Sequence, residues 1–240
     1  MTAIDGRGTT EQEWLPWLDA LALPELDLPF PDRVVVVAPH PDDELLAVGG
    51  LLAMLSAAGT RVDVLAVTDG EASHPGGSVA PAELARLRVR ETELALSRLG
   101  THGTVTRLGL PDGGCEALQQ PVARALELSA QDWVLGPWTG DGHPDHEAVG
   151  RGCVEAARRS GARLLEFPVW AWHWASPGSA LPWSRACQVV LPRSVRETKA
   201  AALQAFASQV APIGPLPEDA PVLPPHVLAR FARPFEVLFA

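Results

Sequence analysis

The sequence predicts an α/β fold, a Rossmann-like layer in which a central, mostly parallel sheet is flanked by helices. Three observations point there. Residues 34–37 are four consecutive valines, the composition of a strand buried on both faces of a parallel sheet. Apolar runs at 62–67 and 132–136 follow with helical segments between them, the spacing of strand–helix–strand units joined by right-handed crossovers. The 240 residues are 47% hydrophobic and 20% charged, ordinary for one globular domain with a sizeable core. A single domain over 1–240 is expected, with an irregular N-terminal arm at 1–31 and a proline-rich C-terminal segment at 211–240.

In order along the chain, the arm holds Trp14, Trp17 and several leucines. Strand 33–38 ends at Pro39 and Pro41, which cannot continue a ladder. A helix from residue 44 to about 58 shows an apolar face of Leu45, Val48, Leu52 and Leu55. Strand 62–67 ends in Thr68-Asp69-Gly70-Glu71. A helix from about 82 to 99 is closed by Gly100 as a C-cap. A strand at about 104–108 leads to a turn with an acidic tip, Gly109 to Gly114. A helix at about 116–129 and strand 132–136 follow, then Trp138 to His146 and a helix to about 160. The last third is predicted as strand 163–170, a strand near 187–191, a helix from about 193 to 208, and a surface run with six prolines between 211 and 225. That run and the apolar stretch 235–239 are the candidate subunit surface of a homo-oligomer.

Composition prunes the functions. With 19 basic against 29 acidic residues the formal charge is −10, which repels phosphate backbones and argues against nucleic acid. No apolar run reaches the roughly 18 residues of a membrane helix. The N-terminus carries Asp5, Glu11 and Glu13 where a secretory signal has basic and apolar regions. Cys115, Cys153 and Cys187 share no short spacing, so neither a disulfide framework nor a zinc finger is expected. A cytoplasmic enzyme is the expectation. There is no tyrosine, the only lysine is Lys199, and serine-hydrolase, zincin, P-loop and dinucleotide motifs are absent.

Two strand ends carry histidines beside carboxylates: His40, Asp42, Asp43 and Glu44 after the first strand, and His143, Asp145 and His146 after the fourth. Sheets of this type bind ligands at the carboxyl ends of their strands, so both segments are expected at one edge. Two histidines and one carboxylate suit Zn²⁺ or Fe²⁺ and leave positions open for water and substrate. Capping of the following helix accounts for one or two of the carboxylates. It does not account for three histidines at two strand ends. An anion site fails because the loop holds carboxylates where bare amides are needed.

These residues resemble the LmbE-like, or PIG-L-like, zinc-dependent N-acetylglucosaminyl deacetylases. The match rests on A-P-H-P-D-D-E at 38–44, T-D-G-E at 68–71, Arg88 and Glu91, L-P-D-G at 110–113, H-P-D-H at 143–146 and Ser208-Gln209, in the family's order over roughly 33–210. The resemblance implies hydrolysis of an N-acetyl group on an amino sugar or glycoconjugate, with His40, Asp43 and His146 as metal ligands and zinc as the default metal, Fe²⁺ also being admitted. It implies Asp42 as general base, His143 as acid or oxyanion partner, Asp145 orienting His143, and Asp112 and Arg88 facing the sugar. An amidase for another acyl group is the alternative enzyme, and a non-catalytic sugar-binding protein the alternative class. Some relatives hold a tyrosine where this chain has Asp141. That carboxylate is expected either to turn away from the metal or to touch the substrate, because an ionised carboxylate opposes a developing oxyanion.

Six of the eight tryptophans lie between 133 and 183. Trp170, Trp172 and Trp174 would share one face if extended, either as core or as a saccharide platform, and Trp138 is the best cleft candidate. His74, His102, His173 and His226 are read as non-ligands.

Overall fold

The chain enters the fold through a helix, α1 (Glu11–Leu21), where the sequence suggests an irregular arm. Pro16 sits inside it and hides it from a periodicity reading. What holds α1 is packing: Trp14 is fully buried, donates its indole N–H to the Trp172 carbonyl at 2.9 Å, and meets the Trp172 ring edge-on at 5.1 Å. The computed structural model describes residues 6–26 and 29–240, so residues 1–5 and 27–28 of the expected arm lie outside the described residues.

The α/β layer follows as β1 (Arg33–Ala38), α2 (Asp43–Ala57), β2 (Arg61–Thr68), α3 (Pro81–Leu99), β3 (Val105–Leu110), α4 (Gln119–Ala125), β4 (Trp133–Pro137), α5 (Pro144–Ser160) and β5 (Arg163–Phe167). Then come α6 (Ala171–Trp174), β6 (Ala186–Val190), α7 (Arg193–Leu203), α8 (Ala207–Val210), α9 (Pro225–Leu228) and β7 (Phe235–Phe239). The sheet has seven strands in the order β3-β2-β1-β4-β5-β7-β6. The first five run parallel, and β7 is antiparallel to both β5 and β6. The fold class is the one expected. One core layer packs α2, α3 and the C-terminal elements on one face of the sheet, and the other packs α4 and α5 on the opposite face.

Four expectations are corrected. Pro168 ends β5 at Phe167, and Trp170–Trp174 then turn into α6, so the three tryptophans do not alternate on an extended face. Trp172 is buried against Trp14, whereas Trp174 is partly exposed. The helix expected at about 116–129 is a tight turn (Cys115–Leu118) followed by α4, which stops at Ala125. Finally, residues 235–239 are not a subunit surface: they form β7, inserted between β5 and β6, with Leu238 and Phe239 fully buried. Among the described residues no disulfide joins the three cysteines, and no helix is long and apolar enough to cross a membrane.

At the amino edge of the sheet Asp63 pins three segments. Its carboxylate accepts the Arg33 Nε (2.8 Å), the Arg61 Nε (3.0 Å), and the Thr104 backbone N–H and hydroxyl (2.8 and 2.9 Å). Burial would raise this carboxyl, but the Thr104 N–H and the two guanidiniums hold it at about 2. A folded pKa below the unfolded one gives stability that is complete above the unfolded value of about 3.9 and is lost as pH falls toward the folded one. Asp63→Asn is expected to cost about 1–3 kcal/mol at pH 7. In urea unfolding, the gap to wild type should shrink by roughly half by pH 3. A gap independent of pH would remove the ionic account.

Candidate metal centre and active site

The strand order reverses between β1 and β4, which is where ligands bind in open α/β sheets. Both histidine segments follow these two strands. The first turns sharply, with Asp42 at φ 117° and ψ −29°, a left-handed conformation that is costly for any residue with a Cβ. The second enters α5 through His143, its N-cap, and Pro144 at its first position.

Three donor atoms converge there. His40 Nδ1 lies 3.3 Å from Asp43 Oδ2, His146 Nε2 lies 3.2 Å from the same oxygen, and the two ring nitrogens are 3.3 Å apart. A tetrahedron with metal–ligand bonds of about 2.0–2.1 Å has edges of about 3.3–3.4 Å. The partners of the other ring nitrogens set the tautomers. His146 Nδ1 donates to Asp141 Oδ2 at 2.8 Å, and His40 Nε2 donates to Asp112 Oδ1 and Asp145 Oδ2, both at 3.2 Å. The lone pairs of both rings therefore face one carboxylate oxygen, a set of acceptors that a divalent cation satisfies. The electrostatics agree. Burial works against it, yet Asp43 and Asp141 push His146 up to about 9, and His40 is raised well above the ordinary imidazole range by Asp112, Asp145 and Asp43. Asp43 is held far below the usual carboxylate range against the effect of burial. The residues fit a metal.

Asp42 stands beside this triangle with its own environment. Burial, with Asp43 adding to it, pushes its carboxyl up to about 7, and Arg88 opposes the rise. Arg88 is buried and fixed by the Gly70 carbonyl (2.9 Å), the Pro41 carbonyl (2.5 Å) and Asp42 Oδ2 (3.1 Å). A Cβ at residue 70, where φ is +68°, would collide with this guanidinium, which explains the glycine. Expected to face the sugar, Arg88 has its guanidinium held against Asp42. It does not pair with Glu91, whose carboxylate accepts the Ser208 N–H and hydroxyl (2.8 and 2.6 Å) and ties α3 to α8. Glu44 is fully buried; its Oε2 accepts the Asp42 N–H at 3.2 Å, and burial raises it to about 8.

Two more roles shift. The Asp145 carboxylate does not hydrogen-bond His143; it accepts the Gly113 N–H (2.8 Å), the Cys115 N–H (2.6 Å) and the His40 ring. Its tie to His143 is through its backbone N–H, which donates to His143 Nδ1 at 3.3 Å. Burial, with His146 and His40 adding, pulls His143 down to about 4, so its ring is neutral at pH 7 with its proton on Nε2. Asp112 lies at the site as expected and also accepts the Ala72 N–H at 2.9 Å, joining the β2 and β3 loops. Trp138, the expected cleft residue, is partly buried, with its ring packed edge-on against Phe239 at the margin of the core. The aromatic wall is Trp170, 6.4 Å from the His143 ring and nearly parallel to it at 23°.

Asp141 is turned away from the cleft. It is fully buried and accepts the backbone N–H groups of Val169 (2.8 Å), Trp170 (3.0 Å) and Ala171 (3.0 Å) as well as the His146 ring. This is the first of the two expected placements, turned away from the metal; what the sequence does not show is the anchor, because the three N–H donors lie 28 to 30 residues away. Asp141→Asn puts an N–H₂ where an acceptor is needed and should weaken metal affinity about 10–100-fold. Competition with a chelator measures this, and unchanged affinity would leave Asp141 as an anchor of the 169–171 turn alone.

Residues 35–157 match the family of the GlcNAc-PI de-N-acetylase, PIG-L. A 1D-myo-inositol 2-acetamido-2-deoxy-alpha-D-glucopyranoside deacetylase of Kineococcus radiotolerans is 30% identical across 83% of this chain and 64% of its own length. The chain belongs to the PIG-L family. The diacetylchitobiose deacetylase of Thermococcus kodakarensis is also 30% identical, over 57% of this chain and 54% of its own. The chain thus spans between about half and two thirds of the length of these curated PIG-L relatives. Among solved structures, the N,N'-diacetylchitobiose deacetylase of Pyrococcus horikoshii superposes with a TM-score of 0.60 at 21% identity, covering 82% of this chain and 79% of that one. The A40926 pseudoaglycone deacetylase superposes with a TM-score of 0.63, also at 21% identity, over 88% and 97%. Both share the PIG-L fold.

Proposed function

We propose that this PIG-L protein is a zinc-dependent deacetylase that removes the N-acetyl group of an amino sugar or glycoconjugate. The observation that carries the reading is the triangle of His40, Asp43 and His146 with a second carboxylate, Asp42, beside it and outside the three-donor set. The names of the relatives support the substrate class: they act on diacetylchitobiose and on a 2-acetamido-2-deoxy-glucopyranoside of inositol.

A cation held by the three donors supplies Lewis acidity and lowers the pKa of water toward about 7. Zinc suits two imidazoles and one carboxylate, as does Fe²⁺. The chain's own groups do the rest. Asp42, held by Arg88, takes the proton from the attacking water, and the same group then returns it to the departing amine. His143, whose Nδ1 accepts the Asp145 N–H, presents Nε2–H to the carbonyl oxygen as negative charge develops there. This favours the oxyanion role over the acid role for His143. Asp112 and Asp145 orient His40, and Trp170 offers a flat apolar face to the sugar ring. A cytoplasmic setting, suggested by the absence of disulfides among the described residues, is part of the same reading.

The test is acetate release from a panel of N-acetylated amino sugars by protein loaded with one zinc per chain. Release from at least one N-acetylglucosaminide is expected. Metal-loaded protein that frees acetate from none of them, but cleaves a longer acyl amide, would move the assignment to the alternative amidase.

A further inference from the structure

We propose that a second cavity, remote from the metal donors, binds a small amphipathic carboxylate such as a medium-chain fatty acid. The cavity has a volume of about 380 Å³ and lies between α7 and the turn around α9. None of the metal or catalytic residues lines it. Its size falls in the range of small-ligand sites, about 300–1,000 Å³.

Its walls are apolar, formed by Leu191, Leu203, Leu228 and Phe231. Lys199 also lines it and is buried, with its charge paired to Glu236 and two of its three N–H groups taken. Its Nζ donates to Glu236 Oε1 at 2.7 Å and to the Leu46 carbonyl at 2.8 Å. Glu236 in turn accepts the Gly50 and Leu51 N–H groups of α2, at 2.7 and 2.8 Å. Arg233, likewise buried, is bound to Glu11 by both its Nε and Nη2. Buried cations already paired in this way do not compete for an anion. The inner part of the cavity therefore suits a hydrocarbon tail.

The exposed helix face is different. Arg193 pairs with Glu197 at 2.8 Å, but among the described residues Arg196 has no carboxylate partner. The chain as a whole carries −10 and repels anions, whereas Arg193 and Arg196 against Glu197 leave the exposed rim of this cavity with a net positive charge. It complements a carboxylate head whose tail lies along the leucines. A neutral alcohol lacks that interaction, and an alkylammonium meets repulsion.

The experiment is calorimetric titration of the zinc-loaded full chain with octanoate, octanol and octylammonium, all below micellar concentrations. Octanoate should bind one per chain and at least tenfold tighter than either analogue. Ala200→Trp, at an exposed position of α7 that lines the cavity, should abolish binding by filling it. Arg196→Glu, a change at an exposed side chain, should weaken octanoate at least tenfold and carries the test if the tryptophan variant misfolds. The proposal is overturned if octanoate does not bind, if all three probes bind alike, or if neither variant changes the affinity. Because zinc content and acetate release are measured on the same samples, failure here leaves the deacetylase reading standing, and loss of those would not touch this one.

Discussion

Replacing His146 with alanine should strip the protein of its metal and abolish acetate release, while the fold survives. The side chain is fully buried and supplies one corner of a triangle whose other two corners, His40 Nδ1 and Asp43 Oδ2, cannot hold a divalent ion alone with comparable affinity. Its loss also removes one of the two donors to Asp141 Oδ2, but that carboxylate keeps the three N–H donors at 169–171. The residue lies in the first turn of α5, and its absence leaves both core layers intact. The stability cost is therefore expected to stay near 1–3 kcal/mol, the usual penalty for an unpaired buried polar group. Elemental analysis after dialysis decides the matter. Full metal occupancy in the variant would sink the ligand assignment.

The second large effect separates the two neighbouring aspartates. Asp42→Asn keeps the shape of the side chain and an acceptor for Arg88, but removes the basic oxygen. Turnover should fall roughly 10²–10⁴-fold, the size of a general-base contribution, with metal content unchanged. Because the effect is on proton transfer, kcat should drop while KM moves little. Asp43→Asn should do the opposite and lose the metal, since Asp43 Oδ2 is the oxygen that both histidines face. An Asp42→Asn protein with near-normal turnover, or one that arrives without metal, would show that the roles are reversed.

The sheet was legible because β1 is written in valines and bounded by prolines, and because strand and helix periods alternate cleanly up to β5. The two histidine motifs were legible because each lies within one short stretch of chain. What could not be read is mostly contact across distance. Arg88 reaches Asp42 over 46 residues, and only the fold shows that its guanidinium turns to that carboxylate. Asp141 draws notice in the sequence as a carboxylate where some relatives hold a tyrosine, but its anchoring role needs the three N–H donors from 169–171. The tryptophans mislead for a different reason. Period-two spacing means one face only in an extended chain, and the Trp170–Trp174 stretch is helical. The helix α1 is hidden in the sequence because Pro16 interrupts its pattern, whereas the burial of Trp14 maintains it.

The reversal of strand order between β1 and β4 also ties the metal to folding. His40 and His146 are 106 residues apart, and they meet only on the parallel pairing of β1 with β4, with α2, β2, α3, β3 and α4 looped out between those strands. Such non-local pairing is slow to form, because a long loop must close before any contact rewards it. A chain caught short of that step has no three-donor triangle. Metal that binds the native state alone stabilises it by mass action, about 2.7 kcal/mol at a free concentration a hundred times its Kd. Chelation should accordingly lower the melting temperature of the intact protein. During biogenesis, metal capture would mark chains that have finished assembling.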